Sequence, residues 1–338
     1  MPEAPLSVLY KHGITAPGPA AERALAAEAA HRGWWPFAYT LLESIGRDYR
    51  EADEPLLERL YQSMAAGDGV FKITRRNRFR DLDERLAQEL TGRFPGEDPL
   101  IVHDMAASSG ITSLDLFRRL SRDRVVTVHA TDYFDALWMA DLPGERWTVV
   151  FDVDRHPLQV VGSGFVISCR QPPPLRYPVN RVLQTWLMKQ VVPRAQARLD
   201  SGAEPDRPRG SGMVAGVRRV PLFHPECVIE ARAERGFHLG RHDLFQPNPH
   251  PCQVVRILNA LTPAHFSPER VTAGIRAGAT NLARGGLLIL GRSPEDDDSR
   301  TRATAFEWTG ETLATVWELN GGYEWPELVP FRQGPRRE

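Results

Sequence analysis

Polar side chains follow four short apolar runs of this sequence, at the points where parallel strands would end. Asp104, Asp132, Asp243 and Asn259 each stand at or just beyond such a run. In open α/β sheets, ligands bind outside the carboxyl ends of the strands. The joint occurrence of four such positions therefore predicts one ligand site along a single edge of a sheet.

The first of these positions opens a loop of small residues, Asp104–Gly110, between a predicted strand and a predicted helix. Small side chains such as Ala106 and Ser108 let backbone amides approach a ligand closely, and the start of a helix favours polar or negative groups. Gly110 is the one glycine in the loop. An ordinary tight strand-to-helix turn is the alternative interpretation.

The two acids further along are suited to different parts of a nucleoside. A carboxylate at the position of Asp132 can accept hydrogen bonds from two adjacent ribose hydroxyls. Asp243 precedes the apolar Leu244, and a carboxylate beside an apolar slot suits an adenine ring with its exocyclic amine. For Asp132 alone, a surface acid or a helix cap is an alternative.

The elements around these residues predict the fold class. Strand, small-residue turn, helix, strand and acid follow one another over 100–132, and parallel strands need such a crossover. The alternation resumes at Gly236. A helix begins at Ser267 with a Ser cap and a Pro in its first turn. Leu287–Leu290 forms the next strand, and two closing strands follow in the tail. We predict a Rossmann-like, doubly wound, mostly parallel sheet.

Two further regions flank this pattern. Residues 1–95 have apolar residues at helical spacing and form a predicted helical N-terminal domain. Pro95–Pro99 breaks the chain, and 96–338 forms the predicted sheet domain. Its insertion at about 138–235 has a predicted β-hairpin over 147–168 and an amphipathic helix over 180–199. We expect the insertion to act as a lid or substrate subdomain.

With these motifs in place, the chain resembles the class I S-adenosylmethionine-dependent methyltransferases. Within that class, the stretches Val255–Leu261 and Gly285–Gly291 are most similar to the chemotaxis-receptor methyltransferases. The resemblance implies S-adenosylmethionine as the cofactor. The residues implied to bind it are Asp104, Ala106, Ser108 and Gly110 below the methionine part, Asp132 at the ribose, Asp243 and Leu244 at the adenine, and Asn259.

The reaction places few demands on side-chain chemistry. Methyl transfer depends mainly on positioning and on exclusion of water, so no catalytic residue is predicted. Arg256 is expected to pair with an anionic group of the substrate, the alternative being a structural arginine that binds a loop carboxylate. Tyr133 and His265 are candidate pocket residues, with packing as their alternative role.

Composition limits the remaining classes of function. The formal net charge is -1, so the chain as a whole gives no electrostatic case for a nucleic-acid partner. The three cysteines match no metal or disulfide pattern, and His238 and His242 lack further ligands, so no metal site is predicted. No apolar run is long enough to span a membrane. We expect a cytoplasmic enzyme that methylates a small molecule or a protein, or a non-catalytic regulatory or scaffold protein with the same fold.

Overall fold

The computed structural model describes residues 9–31, 35–66, 70–72, 74–96, 98–142, 144–173, 175–202, 216–294 and 300–331. The helices are α1 (Pro19–His31), α2 (Thr40–Arg47), α3 (Glu54–Ser63), α4 (Arg80–Arg93), α5 (Ile111–Leu120), α6 (Pro178–Gln190), α7 (Val192–Gly202), α8 (Pro225–Arg232) and α9 (Pro268–Ala279). The strands are β1 (Ala65–Ala66), β2 (Val70–Phe71), β3 (Leu100–Met105), β4 (Val126–Asp132), β5 (Ala136–Asp141), β6 (Thr148–Phe151), β7 (Pro157–Gly162), β8 (Phe165–Ser168), β9 (Val217–Pro221), β10 (Phe237–Arg241), β11 (Cys252–Leu258), β12 (Leu282–Arg292), β13 (Arg302–Trp308) and β14 (Leu313–Leu319).

The chain divides into two compact units. Met1–Ile73 and Ala136–Pro225 form the insertion unit, and Thr74–Asp135 with Glu226–Glu338 form the parallel-sheet unit. This division differs from the predicted domain boundary at residue 95. Helix α4 belongs to the parallel-sheet unit, because its Asp83 side chain forms an ion pair with Arg256 of β11.

The parallel-sheet unit has a seven-stranded sheet in the order β10-β4-β3-β11-β12-β13-β14. The first five strands are parallel, and counted along the unit they lie in the order third, second, first, fourth, fifth. This is the doubly wound order: successive strands are added toward one edge up to β10 and then toward the other edge from β11, so the reversal point lies between β3 and β11. Strands β13 and β14 are antiparallel to their neighbours. The predicted Rossmann-like, mostly parallel sheet is therefore confirmed.

Helix α9 covers one face of β11 and β12 through an apolar core. The predicted Ser cap is present, since Ser267 Oγ accepts a hydrogen bond from the Arg270 amide at 3.4 Å. Small residues bring the helix close to the sheet: a methyl group on Gly278 would lie 2.8 Å from Ile257 Cδ1. Substitutions of that glycine would therefore push the helix off the strand.

The insertion unit has a five-stranded antiparallel sheet in the order β8-β7-β6-β5-β9, which packs against α6 and α7. The predicted hairpin is present as β6 and β7, and β8 adds a second turn. Asp152 organises the β6–β7 turn by accepting hydrogen bonds from the amides of Asp154 and His156 and from Arg170. The predicted helix over 180–199 is divided into α6 and α7, with Pro193 in the first turn of the second helix.

No helix in the described part of the chain has the length and apolar character needed to cross a bilayer. The segment Ser201–Gly216 is rich in Gly, Pro and charge and is predicted to be a loop, and residues 203–215 of it lie outside the described residues.

Three histidines form a row across one face of the parallel sheet. His103 of β3, His129 of β4 and His238 of β10 are paired in register. His250, in the segment between β10 and β11, stacks on His129 with ring centroids 3.9 Å apart. His242 lies 5.4 Å from His103, ring to ring. That segment, residues 242–251, contains no helix, so loop residues rather than a helix pack on this row.

His103 is the buried centre of the cluster. Its Nδ1 donates to Asn248 Oδ1 at 2.7 Å, because that oxygen can only accept. The amide is oriented by its own Nδ2, which donates to Cys252 Sγ. His103 Nε2 then accepts from the Thr131 hydroxyl at 2.7 Å. Burial, together with His242, His250 and His129, lowers the pKa of His103 to about 4 even though the Asn248 bond opposes the shift.

Acid should therefore destabilise the parallel-sheet unit. The unfolded state binds a proton at His103 near pH 6.5 and the folded state near pH 4, so stability falls as the pH drops between these values. Between about pH 7.5 and about pH 4.5 the wild type loses unfolding free energy because of His103. His103→Gln lacks this group, so its loss over the same range, measured by urea titration, should be smaller by about 2 kcal/mol. The exposed His265→Gln serves as the control. Equal pH dependence in wild type and His103→Gln would contradict the assignment.

Candidate functional site

The β3–α5 loop adopts a backbone conformation that usually requires glycine. Ala106, Ser108 and Gly110 have φ values of 56°, 58° and 77°. A side chain at positive φ contacts its own backbone, and the cost is of the order of 1–3 kcal/mol per residue. The alternating left-handed residues turn the chain sharply from the end of β3 into α5, whose cap is Gly110. The loop thus has the geometry of a glycine-rich turn while two of the three positions are not glycine.

Below the loop lies a buried ion-pair cluster. Arg256 of β11 is fully buried, and its Nε and Nη2 donate to the two oxygens of Asp104 at 2.9 and 2.6 Å. Its Nη1 donates to Asp83 Oδ1 of α4 at 2.7 Å. Ser113 Oγ donates to Asp104 at 2.5 Å. A two-pronged guanidinium–carboxylate contact of this kind fixes both partners in orientation.

These contacts correct two expectations. Arg256 does not face a substrate, because burial and two carboxylates occupy its donors; the alternative role, a structural arginine, is the one that the geometry supports. The Asp104 carboxylate is also directed into this cluster and not toward a ligand. Asp104 can therefore serve a ligand only by holding the loop that follows it.

Asp83 was not anticipated from the sequence. It lies on the buried side of α4 together with Leu82, Leu86 and Leu90. Two signals in the sequence would have paired Asp83 with Arg256. The first is an acid on an apolar helical stripe, and the second is an arginine inside the apolar run 254–258. Burial raises the pKa of Asp83 to about 7, against the attraction of Arg256, and Asp104 adds to the increase.

Asp132 at the end of β4 lies beside the loop. Its Oδ2 accepts from the Ser108 amide at 2.8 Å, and its Oδ1 accepts from the Phe134 amide at 2.9 Å. The Ala107 amide also donates to the Thr131 carbonyl. The structure thus brings the first loop and the second acid together at neighbouring strand ends, on the same edge of the sheet.

Asp243 and Leu244 follow β10 on the same edge. Asp243 Oδ1 accepts from the Phe245 amide at 2.9 Å. Leu244 is buried in the apolar core against which Ala106 packs. A carboxylate and an apolar surface therefore lie on adjacent residues, and the apolar surface reaches the first loop.

The end of β11 contains further polar groups. Asn259 has a φ of 56°, and its Oδ1 accepts from the Ser293 amide, at the end of β12, at 2.8 Å. Two buried hydroxyls, those of Thr262 and Ser293, have no hydrogen-bond partner among the described residues. Buried polar groups are usually satisfied. These hydroxyls were not among the sequence candidates, since single Ser and Thr residues give no pattern.

The two aromatic candidates differ in exposure. Tyr133 is half-buried, and the Arg241 guanidinium lies 4.6 Å from its ring centroid. His265 is exposed on the loop after β11, where its amide donates to the Thr262 carbonyl. Both follow strand ends of the same edge, so both remain candidate pocket residues.

Comparison with known proteins gives matches to solved structures only. No family model and no curated protein matches the chain. An amino pentose methyltransferase from Micromonospora echinaspora is 11% identical, with a TM-score of 0.29, and the match covers 68% of this chain and 63% of that one. A sugar N-methyltransferase from Streptoalloteichus is 11% identical, with a TM-score of 0.27, over 67% and 58%. A 4+2 cyclase is 12% identical, with a TM-score of 0.26, over 63% and 46%.

This chain thus matches less than two thirds of each of these structures. Their names include both methyl transfer and cyclisation. The fold assignment rests on the strand order of the parallel-sheet unit.

Removing the buried arginine should destabilise the protein strongly. Arg256→Met leaves Asp83 and Asp104 without their cation, which costs about 3–5 kcal/mol of unfolding free energy by urea titration. The control Arg235→Met removes an exposed guanidinium paired with Glu230 and should change stability by less than about 0.5 kcal/mol. Adding Asp83→Asn to Arg256→Met should restore part of the loss. Equal stability of Arg256→Met and the control would contradict the cluster's role.

The left-handed loop gives a second test. Ala106→Gly removes the strain at φ 56° and should maintain or raise the unfolding free energy, by up to about 1 kcal/mol. Ala107 lies between the left-handed residues and is itself outside that region, so Ala107→Gly should cost about 0.5–1 kcal/mol. Thermal and urea unfolding of both variants would show the difference. The same loss in both would mean that position 106 is not strained.

Proposed function

We propose that the parallel-sheet unit binds S-adenosylmethionine along the carboxyl edge of its sheet and transfers the methyl group to a small molecule or a protein side chain. One observation carries the proposal. The left-handed β3–α5 loop lies at the reversal point of the strand order, and its Ser108 amide is bonded to the Asp132 carboxylate. A tight loop, a helix N-terminus and an acid on the next strand are the parts that a nucleoside ligand needs there.

The donor and acceptor chemistry at Asp132 fits a ribose. Each of its two oxygens accepts one backbone amide, and an ionised carboxylate has about four acceptor positions in total. A carboxylate at this position can also accept from two adjacent ribose hydroxyls. Asp132 would hold the ribose and the loop at once.

The other parts of the cofactor are assigned to the neighbouring residues. Ala106, Ser108 and Gly110 would line the methionine part through their backbone. Asp243 and Leu244 would bind the adenine, with the carboxylate at the exocyclic amine and the apolar side chain against the ring. Asn259, on the far side of the reversal point, would lie toward the reactive end.

The bound cofactor supplies an electrophilic methyl group on a sulfonium. The chain's own contribution is to hold the acceptor in line with that group and to exclude water. The buried hydroxyls of Thr262, three residues after Asn259, and of Ser293, whose amide is bonded to Asn259, are the first candidates to bind the acceptor. Tyr133 and His265 are candidates for the wall of the same site.

A non-catalytic scaffold is the second candidate. It is favoured by the way the protein satisfies its own polar groups, because Asp104 is held by Arg256 and Ser113 and the Ser108 amide by Asp132. A protein that no longer binds the cofactor would keep these internal bonds and its fold.

Calorimetric titration with S-adenosylmethionine and S-adenosylhomocysteine distinguishes the two. The enzyme should bind both, and Asp132→Asn should weaken binding at least about tenfold through loss of charge-assisted hydrogen bonds. Asp123→Asn, an exposed acid at the end of α5, is the matched control and should bind like the wild type. Circular dichroism should show that both variants fold. A folded wild type that binds neither ligand would overturn the proposal and favour the scaffold.

A further inference from the structure

Helix α6 of the insertion unit exposes apolar side chains to solvent. Val179, Val182 and Trp186 are 45%, 73% and 48% exposed, and Leu175 before the helix is 81% exposed. Leu9 is 44% exposed and adjoins them, since its carbonyl accepts from the Val179 amide. We call these five residues the α6 surface. An apolar group of this kind marks an interaction site more often than scattered single residues do.

The helical geometry makes this group a continuous stripe. Successive residues are about 100° apart around a helix, so Val179, Val182 and Trp186 fall on one side. Leu187 is buried, on the side that packs against the antiparallel sheet. Lys189 flanks the stripe on the side away from Leu187, and Arg181 lies further round the helix, about 100° from Val182. Helix α6 therefore has a broad apolar face with one packed edge and one open edge, and Lys189 borders the open edge.

The chain segment that contains α6 has only positive formal charges. Residues 155–199 contain seven Lys and Arg residues and no Asp or Glu. Arg155, Arg170 and Arg194 have acidic partners from outside this stretch. Within the described part of the chain, Arg176, Arg181 and Lys189 have none. The net charge of -1 for the whole chain hides this local excess.

A further cation, Lys11, lies at the edge of the α6 surface. Lys11 lies at the start of α6, where its amide and carbonyl bond to the Asn180 side chain. Burial lowers the pKa of Lys11, and the nearby positive charge of Arg176 lowers it further. Two cations therefore repel each other at the edge of the stripe. An anionic partner would relieve that repulsion.

We propose that the α6 surface binds peripherally to a lipid bilayer that carries anionic headgroups. An apolar helix face with Trp, bordered by Lys and Arg and free of acids, is typical of helices that lie in a membrane interface. Val182 and Trp186 enter the boundary of the acyl region, and the four cations Lys11, Arg176, Arg181 and Lys189 contact the headgroups. This inference does not depend on the cofactor site of the other unit.

Two copies of the chain are a less favourable occupant of this surface. A symmetric dimer places the same patch on both partners. The four cations of each copy would then face those of the other, with no acid between 155 and 199 to compensate them. The charge pattern favours a partner of opposite sign.

Vesicle flotation with the full-length protein tests the proposal. The wild type should float with phosphatidylcholine vesicles that contain phosphatidylserine and not with phosphatidylcholine alone, and added salt should reduce binding. Val182→Glu and Lys189→Glu should each weaken binding at least about tenfold. The matched controls are Val125→Glu, whose side chain is 65% exposed in the other unit, and the exposed Arg122→Glu. Both controls should float like the wild type, and circular dichroism should show intact folding for all four variants.

The contrary outcomes are distinct. Failure of the wild type to bind anionic vesicles, or unchanged binding by folded Val182→Glu, overturns the proposal. Binding to poly-glutamate without vesicle binding would identify an acidic protein surface as the partner instead. A concentration-dependent dimer in sedimentation, lost in Val182→Glu, would identify a second copy of the chain.

Discussion

The parallel-sheet unit is organised around one buried guanidinium. Arg256 is fully buried in β11, and an unpaired cation there would destabilise the fold strongly. Asp104 of β3 and Asp83 of α4 must therefore both be in contact with it. Because Asp104 and Arg256 are register partners, the ion pair also sets how β3 and β11 align at the reversal point. The ion pair therefore also fixes the position and direction in which the loop after Asp104 begins.

The loop itself shows how strain is maintained. Ala106 and Ser108 would leave the left-handed region if the chain on either side were free to move. The Ser108 amide is bound to Asp132, the Ala107 amide to the Thr131 carbonyl, and Gly110 caps α5. These bonds hold the backbone of Ala106 and Ser108 at positive φ despite the steric strain of their side chains. A rigid loop of this kind avoids the ordering cost that a flexible glycine loop would incur on binding a ligand.

Sequence patterns predicted the sheet well and side-chain roles less well. Local periodicity in the sequence was sufficient to predict the alternation of strand, turn, helix and strand. It also predicted that Asp104 and Asp132 lie at one edge of the sheet. The role of Arg256 depends on Asp83, which is 173 residues away in the chain. Periodicity cannot report such a pairing, although a charged residue in an apolar strand signals that one must exist. Strand β9 escaped prediction because Val217–Pro221 contains two arginines and no clean alternation.

The insertion between β4 and β10 has a further consequence for the sheet. The ten residues between β10 and β11 contain no helix, so polar loop residues meet the face over β3, β4 and β10 where a doubly wound fold usually has a crossover helix. An apolar strand residue would have little to pack against there, whereas an imidazole can stack on a loop ring and still form hydrogen bonds. His129 does the first with His250, and His103 does the second with Asn248 and Thr131. Both rings are neutral at neutral pH, because burial lowers the pKa of each to about 4. The segment that they hold also contains Asp243 and Leu244, so the histidine row positions the residues assigned to the adenine.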